Sequence, residues 1–229
     1  MKKILSYFTL FEISLYVVTI VSIIISFFAF HNNQYLYLIG SLIGATSLTF
    51  LAKGNPFGQV LTIVFSLFYG IVSYSFKYYG EMITYLGMTL PIAVCALFSW
   101  IKHPSQESKT QVKIKELNAI NYILIIIVSI VVTIVFYFIL KALQTSNLLW
   151  STLSVFTSFL AVSLSLFRSR FYALAYALND IVLIILWILA SKIDQQYIPM
   201  IICFIAFLIN DLYGFINWTK MLKKQNLTN

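Results

Sequence analysis

Eight apolar stretches follow one another along this chain, at 11–30, 35–52, 57–76, 81–101, 119–142, 148–167, 171–191 and 197–218. A helix needs about 20 such residues to cross a bilayer. Only structures that satisfy every backbone group internally survive in the hydrocarbon. The pattern therefore predicts an all-α integral membrane protein with eight transmembrane helices. Composition agrees, since 61% of the 229 residues are hydrophobic and only 10% are charged. A soluble domain carries about 45–50% apolar and about 25% charged residues. The surplus must face lipid, which excludes a soluble enzyme, a disordered protein and a disulfide scaffold. The first stretch follows Lys2 and Lys3 but is too long for a signal peptide and lacks a small-x-small cleavage site, so it reads as a helix.

Short polar breaks separate the stretches: HNNQ after Phe30, KGNP at 53–56, KYYG at 77–80 and RSR at 168–170. With eight crossings, one side holds Lys2, Lys3, Lys53, Lys102, Lys109, Lys113, Lys115, Arg168, Arg170, Lys220, Lys223 and Lys224. The other side holds only Lys77, Lys141 and Lys192. Twelve against three puts both termini in the cytoplasm of a cell-membrane protein. The net charge of +8 is then a topology signal, and no nucleic-acid partner is expected. The polar segment 102–118 reads as a solvated cytoplasmic connector, drawn to anionic lipid headgroups at most.

The chain repeats itself weakly. A shift of 118 residues places Tyr79 on Tyr197, Met82 on Met200, Ile83 on Ile201, Trp100 on Trp218 and Lys102 on Lys220, with Tyr69 falling on Trp187. Spans 2–4 then correspond to spans 6–8, span 5 connects them, and span 1 is extra. The expected organisation is an N-terminal helix (1–34), a three-helix bundle (35–101), a linker with its connecting helix (102–147), a second bundle (148–220) and a tail (221–229). Such a 3+1+3 parallel repeat suits a transporter with a site between its halves.

Of the seven acidic residues, only Asp180 and Asp211 lie well inside apolar spans. Charges there are expensive and face a cavity or a partner. Each follows an asparagine, in Asn179-Asp180 and Asn210-Asp211. Tyr176, Asn179, Asp180 and Trp187 share one helical face by their spacing. Asn210, Tyr213 and Asn217, with Asp211 and Gly214 beside them, form a similar face on the last span. Rings beside amides and carboxylates suit a planar, cationic heterocycle bearing a hydroxylated sugar. The bland alternative is helix-to-helix hydrogen bonding. Trp100 and Trp218, each followed two residues on by Lys, read as interfacial anchors. Gly40 and Gly44 form a GxxxG contact, and Pro91 a kink or hinge. Cys95 and Cys203 read as buried structural thiols. With His31 and His103 in loops there is no metal set, no cofactor is implied, and no hydrolytic or ATP-driven chemistry is legible.

The run YYGEMITYLGMTLPIAVCALFSWIKHP at 78–104 resembles the end of the first half in the nicotinamide riboside transporter (PnuC) family. RFYALAYALNDIVLIILW and FLINDLYGFINWTK resemble helices of its second half. The resemblance covers roughly residues 35–220 and implies the fold of full-length SWEET-type sugar transporters. It further implies facilitated diffusion of a vitamin nucleoside, trapping by cytoplasmic phosphorylation, and a homotrimer. The family's Trp-x-x-Trp-x-x-x-Asn lining falls here on Ala173, Tyr176 and Asp180, so one ring is lost, one replaced, and the amide has become an acid. Where the family has amides near 85 and 93, this chain has Tyr85 and Ala93. Asn210, Tyr213, Gly214, Asn217 and Trp218 fit better. The resemblance thus implies a transporter for nicotinamide riboside, with thiamine or a deoxynucleoside as alternative cargoes. A non-transporting sensor or assembly subunit is the alternative of another class.

Overall fold

A computed structural model describes residues 7–30, 35–75, 79–106 and 108–227. Lys2, Lys3, the HNNQ break with His31, Lys77 and Glu107 lie outside the described residues. Eight helices among the described residues are long and apolar enough to cross a membrane. They are α1 (Leu10–Ala29), α2 (Tyr35–Ala52), α3 (Phe57–Ser75), α4 (Tyr79–Lys102), α5 (Ala119–Ala142), α6 (Leu148–Leu166), α7 (Tyr172–Ser191) and α8 (Ile198–Leu227). Their limits follow the polar breaks because those breaks carry the caps. Thr9 and Glu12 close a reciprocal capping box at the start of α1. The Asn118 side chain accepts from the Asn121 N–H at 2.9 Å to open α5. Gly54 (φ +66°) and Arg168 (φ 59°) end helices in the left-handed conformation. The last helix runs beyond the expected limit at 218, through Leu227.

Pro91 leaves its trace on α4. Proline has no N–H to return to the carbonyl four residues earlier. The turn before it is widened into a π-helical segment, Thr84–Thr89, in which the Leu90 N–H reaches the Tyr85 carbonyl. This wide turn aims the Tyr85 side chain into the protein, where it is buried.

The expectation of interfacial anchors at Trp100 and Trp218 is overturned: both are 0% exposed. Their rings meet at 5.2 Å and pack on Tyr172. The last carbonyls of a helix have no partner within it, and these residues supply one. Trp100 Nε1 donates to the Ser165 carbonyl at 2.8 Å, and Ser99 Oγ to that of Leu166 at 3.0 Å. Trp218 Nε1 donates to the Leu51 carbonyl at 2.8 Å, and Asn217 Nδ2 to that of Ala52 at 2.7 Å. The end of α4 therefore caps α6, and α8 caps α2 in the same way.

The segment 103–118 is not the solvated connector expected. Its chain doubles back, with Lys113 N–H donating to the His103 carbonyl at 2.8 Å, and Val112 is 0% exposed. It then straps the lysine-rich end of the bundle. Val112 N–H donates to the Gly54 carbonyl at 2.9 Å and Lys115 N–H to that of Arg168 at 3.0 Å. Gln225, on the helical extension of α8, accepts from Ile114 N–H and donates to the Val112 carbonyl. Two apolar residues in a polar run, Val112 and Ile114, are the signal that composition hid.

Helix α1 docks on α8 and α2. Its buried Glu12 pairs with Lys53 at 3.2 Å and accepts from Tyr213 Oη at 2.7 Å. Helix α5 leaves a broad apolar face exposed, including Ile127, Ile134 and Phe138, as a lipid-facing helix does. Cys203 is buried, but Cys95 is exposed on its span and does not fit the expectation for both thiols.

The GxxxG reading divides. A Cβ on Gly40 would meet Phe68 at an ordinary 3.8 Å, whereas one on Gly44 would lie 2.7 Å from Phe207 and 3.1 Å from Phe65. Gly40→Ala is expected to leave thermal stability within about 0.5 kcal/mol, and Gly44→Ala to cost about 1–3 kcal/mol through overpacking. Unfolding midpoints of the purified variants check this, and equal shifts would mean that close approach at Gly44 is unimportant.

Candidate functional site

Two of the cavities hold residues expected at the site. The central one has a volume of ≈ 60 Å³ and is walled by α2, α3, α4, α6, α7 and α8. Glycine and hydroxyls come from α2 and α3 (Gly44, Ser47, Thr62), and the Tyr85 ring and Thr89 come from α4. Tyr176, Asn179 and Asp180 come from α7, and Phe204, Phe207 and Asp211 from α8. Both acids are 4% exposed. Both line the cavity, and Asp180 Oδ2 is buried with no hydrogen-bond partner.

Asn179 is held firmly. Its Oδ1 accepts from Thr157 Oγ1 at 2.8 Å and from Ser158 Oγ at 2.9 Å, both on α6. With the oxygen so engaged, the amide N–H groups are left to donate into the cavity. No Lys, Arg or His is among the described residues that line it. The walls therefore offer acceptors, one amide donor and ring faces, a set that attracts cations and repels anions.

Above this cavity lies a layer of rings. Tyr69 and Tyr85 sit 4.4 Å apart, with Phe65 at 5.5 Å and Phe204 at 6.3 Å from Tyr69. Tyr37 links this layer to Trp187, at 6.5 Å and 6.3 Å. Trp187 lines the second cavity, of ≈ 70 Å³, at the lysine-poor end. There it is joined by Glu81, Asn147, Ser151 and Leu183. A chain of aromatic side chains thus runs from Tyr85 in one cavity wall to Trp187 in the other.

The structure distributes the expected site residues over three places. Tyr176, Asn179, Asp180 and Asp211 meet in the central cavity. Trp187, two turns beyond Asp180, belongs to the second. Asn210, Tyr213 and Asn217 point elsewhere, to Thr19, Glu12 and the Ala52 carbonyl. Residues the sequence did not single out include Phe65, Thr62 and Tyr69. For Tyr69 a signal existed, because the repeat sets it on Trp187.

Residues 34–220 match the family described as Nicotinamide mononucleotide transporter. The chain belongs to that family. Among curated relatives, it is 28% identical over 203 residues to the nicotinamide riboside transporter PnuC of Neisseria mucosa, covering 87% of this chain and 77% of the relative. It is 27% identical over 195 residues to that of Haemophilus influenzae, covering 85% and 83%. The crystal structure of the vitamin B3 transporter PnuC superimposes with a TM-score of 0.83 at 26% identity, covering 95% of this chain and 94% of the other. The chain is thus a multi-pass membrane transporter and not an enzyme. As a family member it needs a site at mid-membrane depth that a solute can reach from both sides. Asp180 and Asp211, which line the central cavity, stand near the middle of α7 and α8. Its ≈ 60 Å³ holds only a few waters.

Proposed function

We propose that this chain imports nicotinamide riboside across the cell membrane, using the central cavity as its cargo site. The observation that carries the reading is the lining: two carboxyl groups, an asparagine amide and aromatic faces, with no basic residue. The nicotinamide ring of the riboside is a permanent cation, and the ribose offers hydroxyls to Asn179. A mononucleotide would bring a phosphate dianion against Asp180 and Asp211, and like charges at this depth repel strongly. The named riboside transporters among its relatives support the same choice.

Transport runs by alternating access between two halves, α2–α4 and α6–α8, with α5 connecting them and α1 added. The matching caps of Trp100 and Trp218 on the opposite halves support this division. The lysine-rich end, with both termini, faces the cytoplasm, as the twelve-to-three split of positive charge argues. Cargo moves down its gradient, phosphorylation in the cytoplasm traps it, and the working unit is a homotrimer. These last three features are what the resemblance to the family implies.

The test is ligand-dependent stability of the purified transporter. Nicotinamide riboside at 100 times its Kd is expected to stabilise the fold by about 2.7 kcal/mol, since it binds only the native state. The mononucleotide is expected to leave the unfolding midpoint unmoved. No shift with riboside, thiamine or deoxynucleosides, together with no uptake in a vitamin-starved host, would falsify the transporter reading for these cargoes.

A further inference from the structure

The second cavity, at the lysine-poor end, repeats the chemistry of the central one. It is walled by the start of α4 (Gly80, Glu81), the turn from α5 to α6 (Thr145, Asn147) and the end of α7 (Trp187, Ile193). Asn147 and Ile193 are exposed, so the cavity opens on the surface at that end. Its ≈ 70 Å³ is close to the ≈ 60 Å³ of the central cavity. A carboxyl group, a side-chain amide, hydroxyls and a ring face line both, and no Lys, Arg or His is among the described residues in either wall. Gly80 makes room for this wall: a Cβ there would lie 2.8 Å from Leu140 Cδ2 and 3.2 Å from Thr145 Cγ2.

We propose that this outer cavity is a second binding site for the cationic nicotinamide ring, which sits between the Glu81 carboxylate and the Trp187 indole before it moves to the central site. The proposal rests on the cargo and orientation readings above and adds a stage to them. Glu81 stands in the first turn of α4, where the helix N-terminus favours an ionised carboxylate, and it forms no ion pair among the described residues. Indole is the strongest of the aromatic partners for a cation. Tyr197 at 5.6 Å and Tyr37 at 6.3 Å hold the Trp187 ring in place.

The remaining groups suit the ribose. Thr145 Oγ1 is buried with no hydrogen-bond partner. Asn147 occupies the cap position of α6, yet its side chain makes no cap bond to that helix. An amide and a hydroxyl without a structural task are a fit for sugar hydroxyls. A phosphate would meet Glu81 first and be repelled, so the outer cavity sorts riboside from mononucleotide ahead of the central one. Ring faces then connect the two sites, from Trp187 through Tyr37 and Tyr69 to Tyr85. Such a stage needs no energy source, because cargo leaves it inward or back out along its own gradient.

The experiment is equilibrium binding of radiolabelled nicotinamide riboside to the purified transporter, carried to millimolar concentration. Wild type is expected to bind two ribosides per chain, in two classes of site. Glu81→Gln is expected to weaken one class about fivefold, the scale of an ion pair at a partly open rim, and to leave the other class unchanged. Asp180→Asn weakens the other class instead. Should Glu81→Gln fail to fold, Asn147→Gly is the second variant, because glycine accepts the left-handed backbone at that position (φ 52°) and removes only the amide. It is expected to weaken the same outer class about 2–10-fold. A single class of one riboside per chain overturns the outer site and, where Asp180→Asn weakens that class, leaves the cargo reading standing. Two classes that neither outer variant weakens overturn the outer site as well. No riboside binding at all overturns the cargo reading and the outer site with it.

Discussion

Asp180→Asn is expected to weaken nicotinamide riboside binding about 10–100-fold while leaving the fold intact. The amide has the shape of the acid and can still hydrogen-bond Asp211, so helix packing between α7 and α8 is preserved. What is lost is a buried negative charge against a cationic ring, and a 10–100-fold loss corresponds to about 1.4–2.8 kcal/mol. Equilibrium binding and unfolding midpoint, measured on one preparation, separate the two roles. If Asp180 only glues helices together, the substitution leaves affinity for the riboside nearly unchanged, because the amide keeps the hydrogen bonds. That outcome would remove the acid from the cargo site.

Trp218→Ala is expected to cost about 3–5 kcal/mol of stability. The side chain is fully buried, stacked between Trp100 and Tyr172, and its removal opens a cavity that rigid neighbours cannot fill. It also strips the Leu51 carbonyl of its donor. Trp218→Phe separates the effects, because it retains most of the packing and loses the N–H. A buried acceptor left unsatisfied accounts for about 1–3 kcal/mol. Trp100→Ala is expected to behave alike through the Ser165 carbonyl. Thermal unfolding in detergent reads all three variants. Losses below about 0.5 kcal/mol, the range of an ordinary surface position, would mean that neither tryptophan holds the halves together.

Most of the architecture was legible because hydropathy along a membrane chain is nearly a direct record of its helices. The expected limits agree with the observed ones to within a few residues except at the end of α8. The site was half legible, and α8 explains why. Two polar stripes run down that helix one residue apart: Asn210, Tyr213 and Asn217 on one, Asp211, Gly214 and Trp218 on the other. Periodicity finds both stripes but does not say which neighbour each will meet. Here Asn210 and Tyr213 meet the extra helix α1, and Asn217 meets the end of α2. Only the Asp211 stripe faces the inside. The strap was missed for a different reason, since two buried residues in a polar run scarcely change its average. Nor could composition place Phe65 or Phe207, because apolar rings on an apolar helix look the same whether they face a cavity or lipid.

The caps exchanged between the halves also set a timetable for making the protein. The Ser165 carbonyl finds Trp100 already synthesised, 65 residues upstream. The Leu51 carbonyl must wait for Trp218, 167 residues downstream. At about 5–20 residues per second, that delay is roughly 10–30 s, during which α2 sits in the membrane with its end uncapped. The end of α6 therefore finds its donor already made, while the end of α2 gains its own only when the last helix emerges. A nascent chain stalled before α8 keeps that open helix end together with an Asp180 lacking Asp211.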